Sequence, residues 1–153
     1  MGYDLDHREL GGSRVNHEGH EVHEGHKGLP EQVERLAREL VDAGLKVHRA
    51  LGPGLLESIY EHCLVHELQL RGIQASRQVA LPIFYEGAKL DAAYRLDLVV
   101  DDAIVVEIKA VDALTRLHEA QLLTYLKLSG HRLGFLMNFN VELYKQGVKR
   151  LIL

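Results

Sequence analysis

The sequence predicts an α+β domain with a mixed β-sheet, and three observations lead to this fold class. Before position 72, apolar residues recur at the three- and four-residue spacing of helices. From about 73 to 110 the pattern becomes that of several strands, and one helical stretch then separates two further strands. This order does not repeat as a doubly wound fold would, and a length of 153 residues favours one domain.

Residues 1–28 differ in composition from the rest of the chain. Five of the ten histidines lie there among Glu and Gly residues, at His7, His17, His20, His23 and His26. Because few of these residues could form a core, we expect a disordered tail at 1–28 and a folded domain at 29–153. Binding of a transition metal by the His-rich tract is the alternative for the tail.

Two helices open the domain. Pro30 suits the first turn of a helix, and the helical spacing continues as far as Gly52-Pro53-Gly54, which would end it. A second helix is predicted from about 55 to 71, with Gly72 as its C-terminal stop.

The remaining elements are strands, interrupted by one helix. Strands are predicted over 73–81, 83–85, 94–100 and 104–110, with a tight turn at Glu86-Gly87. Thr115 suits the N-cap of a helix that runs to Ser129 and stops at Gly130. Two last strands are predicted over 133–139 and 148–153.

Charge and hydropathy restrict the class of protein. The net charge of −4, with histidine neutral, lacks the basic balance that is usual for nucleic-acid binders. No apolar stretch is long enough to span a bilayer, and the N-terminal MGYDLDHREL lacks the apolar region of a signal peptide. A single cysteine, Cys63, excludes an internal disulfide and suits a reducing compartment. We therefore expect a cytoplasmic protein that does not contact a membrane.

Charges interrupt the two most apolar strands of the sequence, in YRLDLVVDDAIVVEIKA at 94–110. Side chains alternate between the two faces of a strand, so Glu107 and Lys109 share one face. A two-residue loop at Asp101-Asp102 would place Leu96 opposite Glu107 and mix polar and apolar residues on both faces. A three-residue loop at 101–103 makes one face wholly apolar, and this is the register that we predict.

The three-residue loop predicts apolar pairs on one face and charged pairs on the other. The apolar pairs are Leu96 with Ile108, Leu98 with Val106, and Val100 with Ile104. On the opposite face Asp97 lies across from Glu107, and Arg95 lies across from Lys109. Facing carboxylates repel each other, and a divalent cation such as Mg²⁺ between them would remove the repulsion. The alternative is a salt-bridge cluster of these four residues on a solvated face.

The motif Asp, hairpin, Glu-x-Lys, formed by Asp97 and Glu107-Ile108-Lys109, resembles the site of the PD-(D/E)XK nuclease superfamily. The Pro-Asp pair that gives the superfamily its name is replaced by Leu96-Asp97. GLLESIY at 54–60 reads G-x-x-E-x-x-Y and resembles the signature of the GxxExxY proteins of that superfamily. HEAQLLTYLKLSG at 118–130 and GFLMNFN at 134–140 are also similar, so the resemblance covers about 30–153.

The resemblance implies a restriction-endonuclease-like core, in which a mixed central sheet is flanked by helices. It implies that Asp97 and Glu107 bind Mg²⁺, with Mn²⁺ as a substitute and the backbone carbonyl of Ile108 as a further ligand. Lys109 would assist the attacking water, and Glu57 would be an additional catalytic and metal-binding acid. Glu57 also suits a helix N-terminus without any catalytic role, because a carboxylate there is favoured by the helix dipole.

Four further residues are expected to be accessory or to contact substrate. Gln121 and Tyr125 form Q-x-x-x-Y, which is similar to the accessory motif of RecB-like nucleases, and the two share a helix face. Tyr60 shares a helix face with Glu57, although a core position is its alternative. Arg95 joins this group from the charged face of the hairpin.

The resemblance implies a Mg²⁺-dependent nuclease that hydrolyses phosphodiester bonds, with DNA as the expected substrate. The alternative function is a nucleic-acid- or protein-binding module on the same fold, with little or no catalysis. The neutral balance of charge in the body favours this alternative, and the complete Asp97, Glu107 and Lys109 set argues against it. A homodimer through an exposed strand edge is also open.

Overall fold

The computed structural model describes residues 28–153, and it describes the backbone alone for Ala92 and Ala93. The tail predicted at 1–28 therefore lies outside the described residues, apart from Gly28. Contacts divide the chain into two units, 1–31 and 32–153, and the sheet belongs to the second.

The α+β class with a mixed sheet is confirmed. Within the described residues, the helices are α1 (Glu31–Leu51), α2 (Glu57–Leu70) and α3 (Arg116–Ser129). The strands are β1 (Ala75–Tyr85), β2 (Ala88–Val100), β3 (Ile104–Lys109), β4 (Leu133–Asn138) and β5 (Val148–Ile152). A short 3-10 helix at Tyr144–Gln146 between β4 and β5 was not predicted.

Helix ends follow the predicted signals. Helix α1 ends before Gly52, whose φ of 67° is a conformation that glycine adopts readily. At the start of α3, the Thr115 side chain accepts a hydrogen bond from the His118 backbone N–H at 3.3 Å. The His118 ring nitrogen Nδ1 in turn accepts one from the Thr115 N–H at 3.0 Å, which completes a capping box. Gly130 ends α3 in the left-handed region, at φ 77°.

The five strands form one sheet in the order β1-β2-β3-β4-β5. Only β3 and β4 run parallel, and α3 makes the crossover between them. The other neighbouring strands pair antiparallel. The strands β3 and β4 are almost entirely buried, as expected for the centre of a sheet that is covered on both faces.

The first hairpin is longer than predicted. The predicted strands 73–81 and 83–85 are a single strand β1, with an irregular pairing step between Pro82 and Phe84. A proline is tolerated there because β1 lies at the edge of the sheet. Glu86 and Gly87 both have positive φ values, as a two-residue hairpin turn requires, and β2 begins directly after them at Ala88.

The register of the charged hairpin is confirmed as far as its ladder extends. Leu98 pairs with Val106 and Val100 pairs with Ile104, around a three-residue loop at 101–103. The predicted pairs of Leu96, Asp97 and Arg95 lie beyond this ladder. Leu96 does not share the face of Leu98 as predicted, since it packs in the cluster that contains Val99 and Val105. The alternation of faces therefore breaks within β2, close to Asp97.

The core lies on both faces of the sheet. On one face, Leu122, Tyr125 and Leu126 of α3 pack against Val99 and Val105. On the other side, the ring of Tyr60 in α2 stacks on Phe139 at 4.6 Å. In the part of the chain that the structure describes, every helix is too short or too polar to cross a membrane.

Candidate active site

Asp97 and Glu107 lie together where the β2–β3 ladder stops. The backbone N–H of Ile108 donates to the Asp97 carboxylate oxygen Oδ2 at 2.8 Å. The backbone N–H of Asp97 donates to Glu107 Oε1 at 3.3 Å. Each carboxylate thus accepts a hydrogen bond from the opposite strand, at the step where a regular ladder would pair backbone with backbone. The structure therefore brings the two acids together, as the sequence predicted, but it does so with the ladder interrupted.

Burial makes negative charge costly at this pair. Glu107 is only 5% exposed. Its burial, and to a smaller extent the negative charge of Asp97, raises the pKa of Glu107 to about 8. Burial also raises the pKa of Asp97, although the hydrogen bond from Ile108 acts in the opposite direction. A further contribution to the raised pKa of Asp97 comes from the negative charge of Glu61. A cation at this position would offset the repulsion between these negative charges.

Lys109 and Glu57 lie at the end of β3, on the side of the carboxylate pair away from the hairpin loop. The positive charge of Lys109 acts to lower the pKa of both Asp97 and Glu107. Glu57, the first residue of α2, accepts a hydrogen bond through Oε1 from the backbone N–H of Ala110 at 3.3 Å. The N-terminus of α2 is therefore held one residue beyond Lys109, which places a third acid at the exit of β3.

Tyr125 faces the acids from α3. It is 7% exposed, and its ring packs on that of Tyr94, with the two ring centroids 4.4 Å apart. Burial raises the pKa of Tyr125, and the charges of Glu107 and Asp97 add to that rise. Gln121 lies one turn earlier on α3 and is half-buried. Of the predicted accessory pair, Tyr125 is thus the residue whose pKa is raised by the charges of the two acids.

Tyr60 and Arg95 have structural partners. Tyr60 is completely buried, and its hydroxyl donates to the Gly52 carbonyl at 2.6 Å and accepts from the Leu55 N–H at 3.1 Å. It fixes the loop that leads to Glu57, and its burial leaves no surface for a substrate. Arg95 is exposed, and its guanidinium donates to the backbone carbonyl of Gln78 at 3.3 Å.

Two buried polar residues near the site were missed by sequence reasoning. Glu61 is 4% exposed and lies one turn after Glu57, where it accepts hydrogen bonds from Arg77 and Gln78. Asn138, at the end of β4, bonds both the N–H and the carbonyl of Val111, which fixes the chain after β3. The available signal for Glu61 was an acid directly beside the apolar stripe of α2, which a helical wheel assigns to the boundary of the core.

The donor set of the site fits a divalent metal ion. Among residues 28–153, no group of three or more His, Cys, Asp or Glu side chains is arranged to hold a metal ion. The two adjacent carboxylates of Asp97 and Glu107 nevertheless match Mg²⁺, which is commonly held by one or two carboxylates and completes its shell with water and phosphate. Their mutual repulsion in a buried position gives the physical reason for a cation there.

A cavity of about 920 Å³ lies away from this site. It is lined by α1, by Phe135 of β4, by the 142–145 segment and by β5. None of the predicted site residues lines it.

Comparison with models of protein families matched most of the chain. The family model of the PD-(D/E)XK nuclease superfamily matches residues 34–151, a range that contains every predicted site residue. Searches of curated proteins and of solved structures returned no match. The matched range covers the helices from Glu34 onward and all five strands except Ile152, and the mixed sheet with its helices is consistent with a restriction-endonuclease-like core.

Proposed function

The chain belongs to the PD-(D/E)XK nuclease superfamily, and on that premise we propose that it is a metal-dependent nuclease that hydrolyses phosphodiester bonds in DNA. The observation that carries the proposal is the pair of half-buried Asp97 and buried Glu107, whose carboxylates each accept a backbone N–H from the opposite strand beside Lys109. A buried acid whose pKa is raised by burial and by a neighbouring carboxylate is unfavourable for a scaffold alone, but it suits a cation site.

Each residue has a distinct part in the proposed reaction. Asp97 and Glu107 would hold Mg²⁺, or Mn²⁺ in its place, with the Ile108 carbonyl as a further ligand. The metal would supply Lewis-acid activation of a water and stabilisation of charge on the phosphate. The Lys109 ammonium would orient that water or stabilise the phosphate oxygens. Glu57 would add negative charge at the exit of β3, where it is already held by the Ala110 N–H.

The α3 helix supports the site from one side. Tyr125, packed on Tyr94 and influenced by both acids, would fix the carboxylates or contact the substrate backbone. Gln121 would reach the same region from one turn earlier. We also propose membership of the GxxExxY group, on the strength of the motif at 54–60. Its Glu57 bonds to the end of β3, and its Tyr60 fixes the preceding loop.

The proposal includes a cellular context. The free Cys63 suits a reducing compartment, and we propose a cytoplasmic location on that basis. Strands β1 and β5 are the edges of the sheet, and we propose either of them as the contact of a homodimer.

The test is a cleavage assay with matched variants. Single- and double-stranded DNA and RNA are incubated with Mg²⁺, Mn²⁺ or EDTA. Wild type is compared with Asp97→Asn, Glu107→Gln and Lys109→Ala, and Asp91→Asn serves as the control because it is an exposed acid on the same strand. We expect metal-dependent cleavage of DNA by wild type and by the control, with losses of about 100-fold or more in the three site variants.

Two outcomes would contradict the proposal. Cleavage that survives all three site substitutions would show that the acids are not the catalytic centre. Binding of nucleic acid in EDTA, without cleavage in either metal, would favour a binding module on the same fold.

A further inference from the structure

Strand β1 is distorted at one residue beside the candidate site. Arg77 and Gln78 are consecutive, and their side chains would point to opposite faces of a regular strand. Both nevertheless donate to the same residue, Glu61 of α2. Gln78 achieves this with a φ of 50°, in the left-handed region that residues other than glycine adopt only rarely. The Gln78 side chain therefore points toward α2 and does not follow the alternation of side chains between the two faces of β1.

The turned residue is the one across from Asp97. The β1–β2 ladder pairs Arg77 with Leu98 and Val79 with Leu96, so Gln78 and Asp97 occupy the step between these pairs. That step is not itself a ladder pair, and the carbonyl of Gln78 accepts from Arg95 at 3.3 Å. In a regular antiparallel step, the side chains of Gln78 and Asp97 would be direct cross-strand neighbours.

Glu61 is the buried residue that accepts the hydrogen bonds from this distorted part of β1. It is 4% exposed, and the Gln78 amide nitrogen lies 3.1 Å from each of its two carboxylate oxygens. Arg77 Nε donates to Oε1 at 3.0 Å. A buried carboxylate needs such partners, and this one is satisfied by two adjacent residues of a single strand.

We propose that Glu61 is a positioning residue for Asp97, and that it acts by holding the Gln78 amide away from the Asp97 carboxylate. Asp97 is then left to accept the Ile108 N–H and to offer its remaining lone pairs to a cation. The inference rests on the proposed function, because it assigns Glu61 to the same metal site. Without Glu61, the Gln78 amide loses its acceptor and takes the neighbouring acceptor, Asp97.

The inference makes a specific prediction for a double-mutant cycle. Mn²⁺ alone is titrated into wild type, Glu61→Ala, Gln78→Ala and the double variant, and binding is followed by calorimetry and by the electron paramagnetic resonance of free Mn²⁺. We expect Glu61→Ala to weaken Mn²⁺ binding by about 10-fold or more, as is usual for residues that orient metal ligands. Gln78→Ala should bind within about threefold of wild type, and the double variant should match Gln78→Ala because the competing amide is gone.

The matched control is Glu67→Ala. Glu67 is a second buried glutamate of α2, 8% exposed, and it is paired with Lys46 and Arg71 instead of with β1. It should lose comparable stability on urea unfolding while it keeps the Mn²⁺ affinity of wild type. Equal loss of Mn²⁺ binding in Glu61→Ala and Glu67→Ala, or a double variant as weak as Glu61→Ala, would overturn the inference.

A second measurement separates this inference from the proposed function. In nuclear magnetic resonance spectra without metal, the Gln78 side-chain amide of Glu61→Ala should show a new nuclear Overhauser contact to Asp97 that wild type lacks. If wild type binds no Mn²⁺ but this contact forms in Glu61→Ala, the positioning role of Glu61 is supported and the proposed metal site is refuted. If the contact does not form, the positioning role is refuted whatever the outcome of the cleavage assay.

Discussion

Replacement of Glu107 by glutamine should stabilise the metal-free protein at alkaline pH. Glu107→Gln keeps the shape of the side chain and an oxygen that can accept the Asp97 N–H, but it removes the negative charge. In wild type, burial beside Asp97 raises the pKa of Glu107 from its ordinary 4.5 to about 8. The folded state therefore binds a proton that the unfolded chain releases, so stability is greatest below about pH 4.5 and falls as pH rises to about 8.

The magnitude follows from the pKa difference. At ~1.4 kcal/mol for each pH unit, the rise from 4.5 to about 8 gives a ceiling of about 5 kcal/mol for the destabilisation of wild type at high pH. The same relation gives roughly 1 kcal/mol at pH 5 and roughly 4 kcal/mol at pH 8. The charge of Asp97 is part of this effect, because it disfavours ionisation of Glu107.

The assay is urea unfolding in EDTA at pH 5, 6.5 and 8, followed by circular dichroism. The advantage of Glu107→Gln over wild type should grow steadily across this range, whereas the control Glu86→Gln, at an exposed turn, should show no such growth. Added Mg²⁺ at pH 8 should stabilise wild type by mass action and should stabilise Glu107→Gln much less. A difference between wild type and Glu107→Gln that stays constant from pH 5 to pH 8 would refute the reasoning.

Three further predictions concern the packing of the fold and the residues near the site. Gly44→Ala should lower the free energy of unfolding, measured in urea, by about 1–3 kcal/mol, because its Cβ would lie 2.0 Å from the Tyr144 hydroxyl oxygen. Alanine usually stabilises a helix, so increased stability of this variant would contradict the observed packing. Tyr60→Phe should lower the free energy of unfolding by about 1–3 kcal/mol in the same assay, since it leaves two backbone groups of the 52–55 loop without their partner. A loss of stability below about 0.5 kcal/mol would contradict this role of the Tyr60 hydroxyl. Glu57→Gln should keep its free energy of unfolding within about 1 kcal/mol of wild type, because the amide oxygen can still accept the Ala110 N–H. Its cleavage rate should fall by about 10-fold or more, because the negative charge is gone. An unchanged rate would leave Glu57 as a helix-terminal residue only.

The sequence predicted those parts of the fold that depend on pattern and on turn chemistry. Matching apolar residues across the hairpin selected the three-residue loop, and the structure confirms the pairs Leu98–Val106 and Val100–Ile104. Thr115 and Gly130 marked both ends of α3, because a hydroxyl cap and a left-handed glycine have direct geometric causes. The family resemblance then assembled residues from α2, β2, β3 and α3 that pattern alone could not have brought together.

The distortion at Gln78 could not be predicted in this way. Nothing in Ser76-Arg77-Gln78-Val79 departs from an ordinary edge strand, and the side chain of Gln78, at its positive φ, donates to a carboxylate that is 17 positions away on another element. Leu96 left its predicted face beside the same step of the hairpin, where Gln78 and Asp97 do not form a ladder pair. Sequence periodicity predicts side-chain faces only for a regular ladder, so it cannot predict the side-chain directions at a site where the ladder is irregular.

The interruption of the ladder also determines which variants can test the chemistry. Asp97 and Glu107 each accept a backbone N–H, so an alanine at either position removes a negative charge and also leaves a half-buried donor without its partner. Asn or Gln keeps the acceptor and removes only the charge. If the proposed function is right, Asp97→Asn should lose cleavage as completely as Asp97→Ala while it retains more of the stability of the fold. If instead only the alanine variant loses cleavage, the carboxylate acts through the sheet and not through a metal ion.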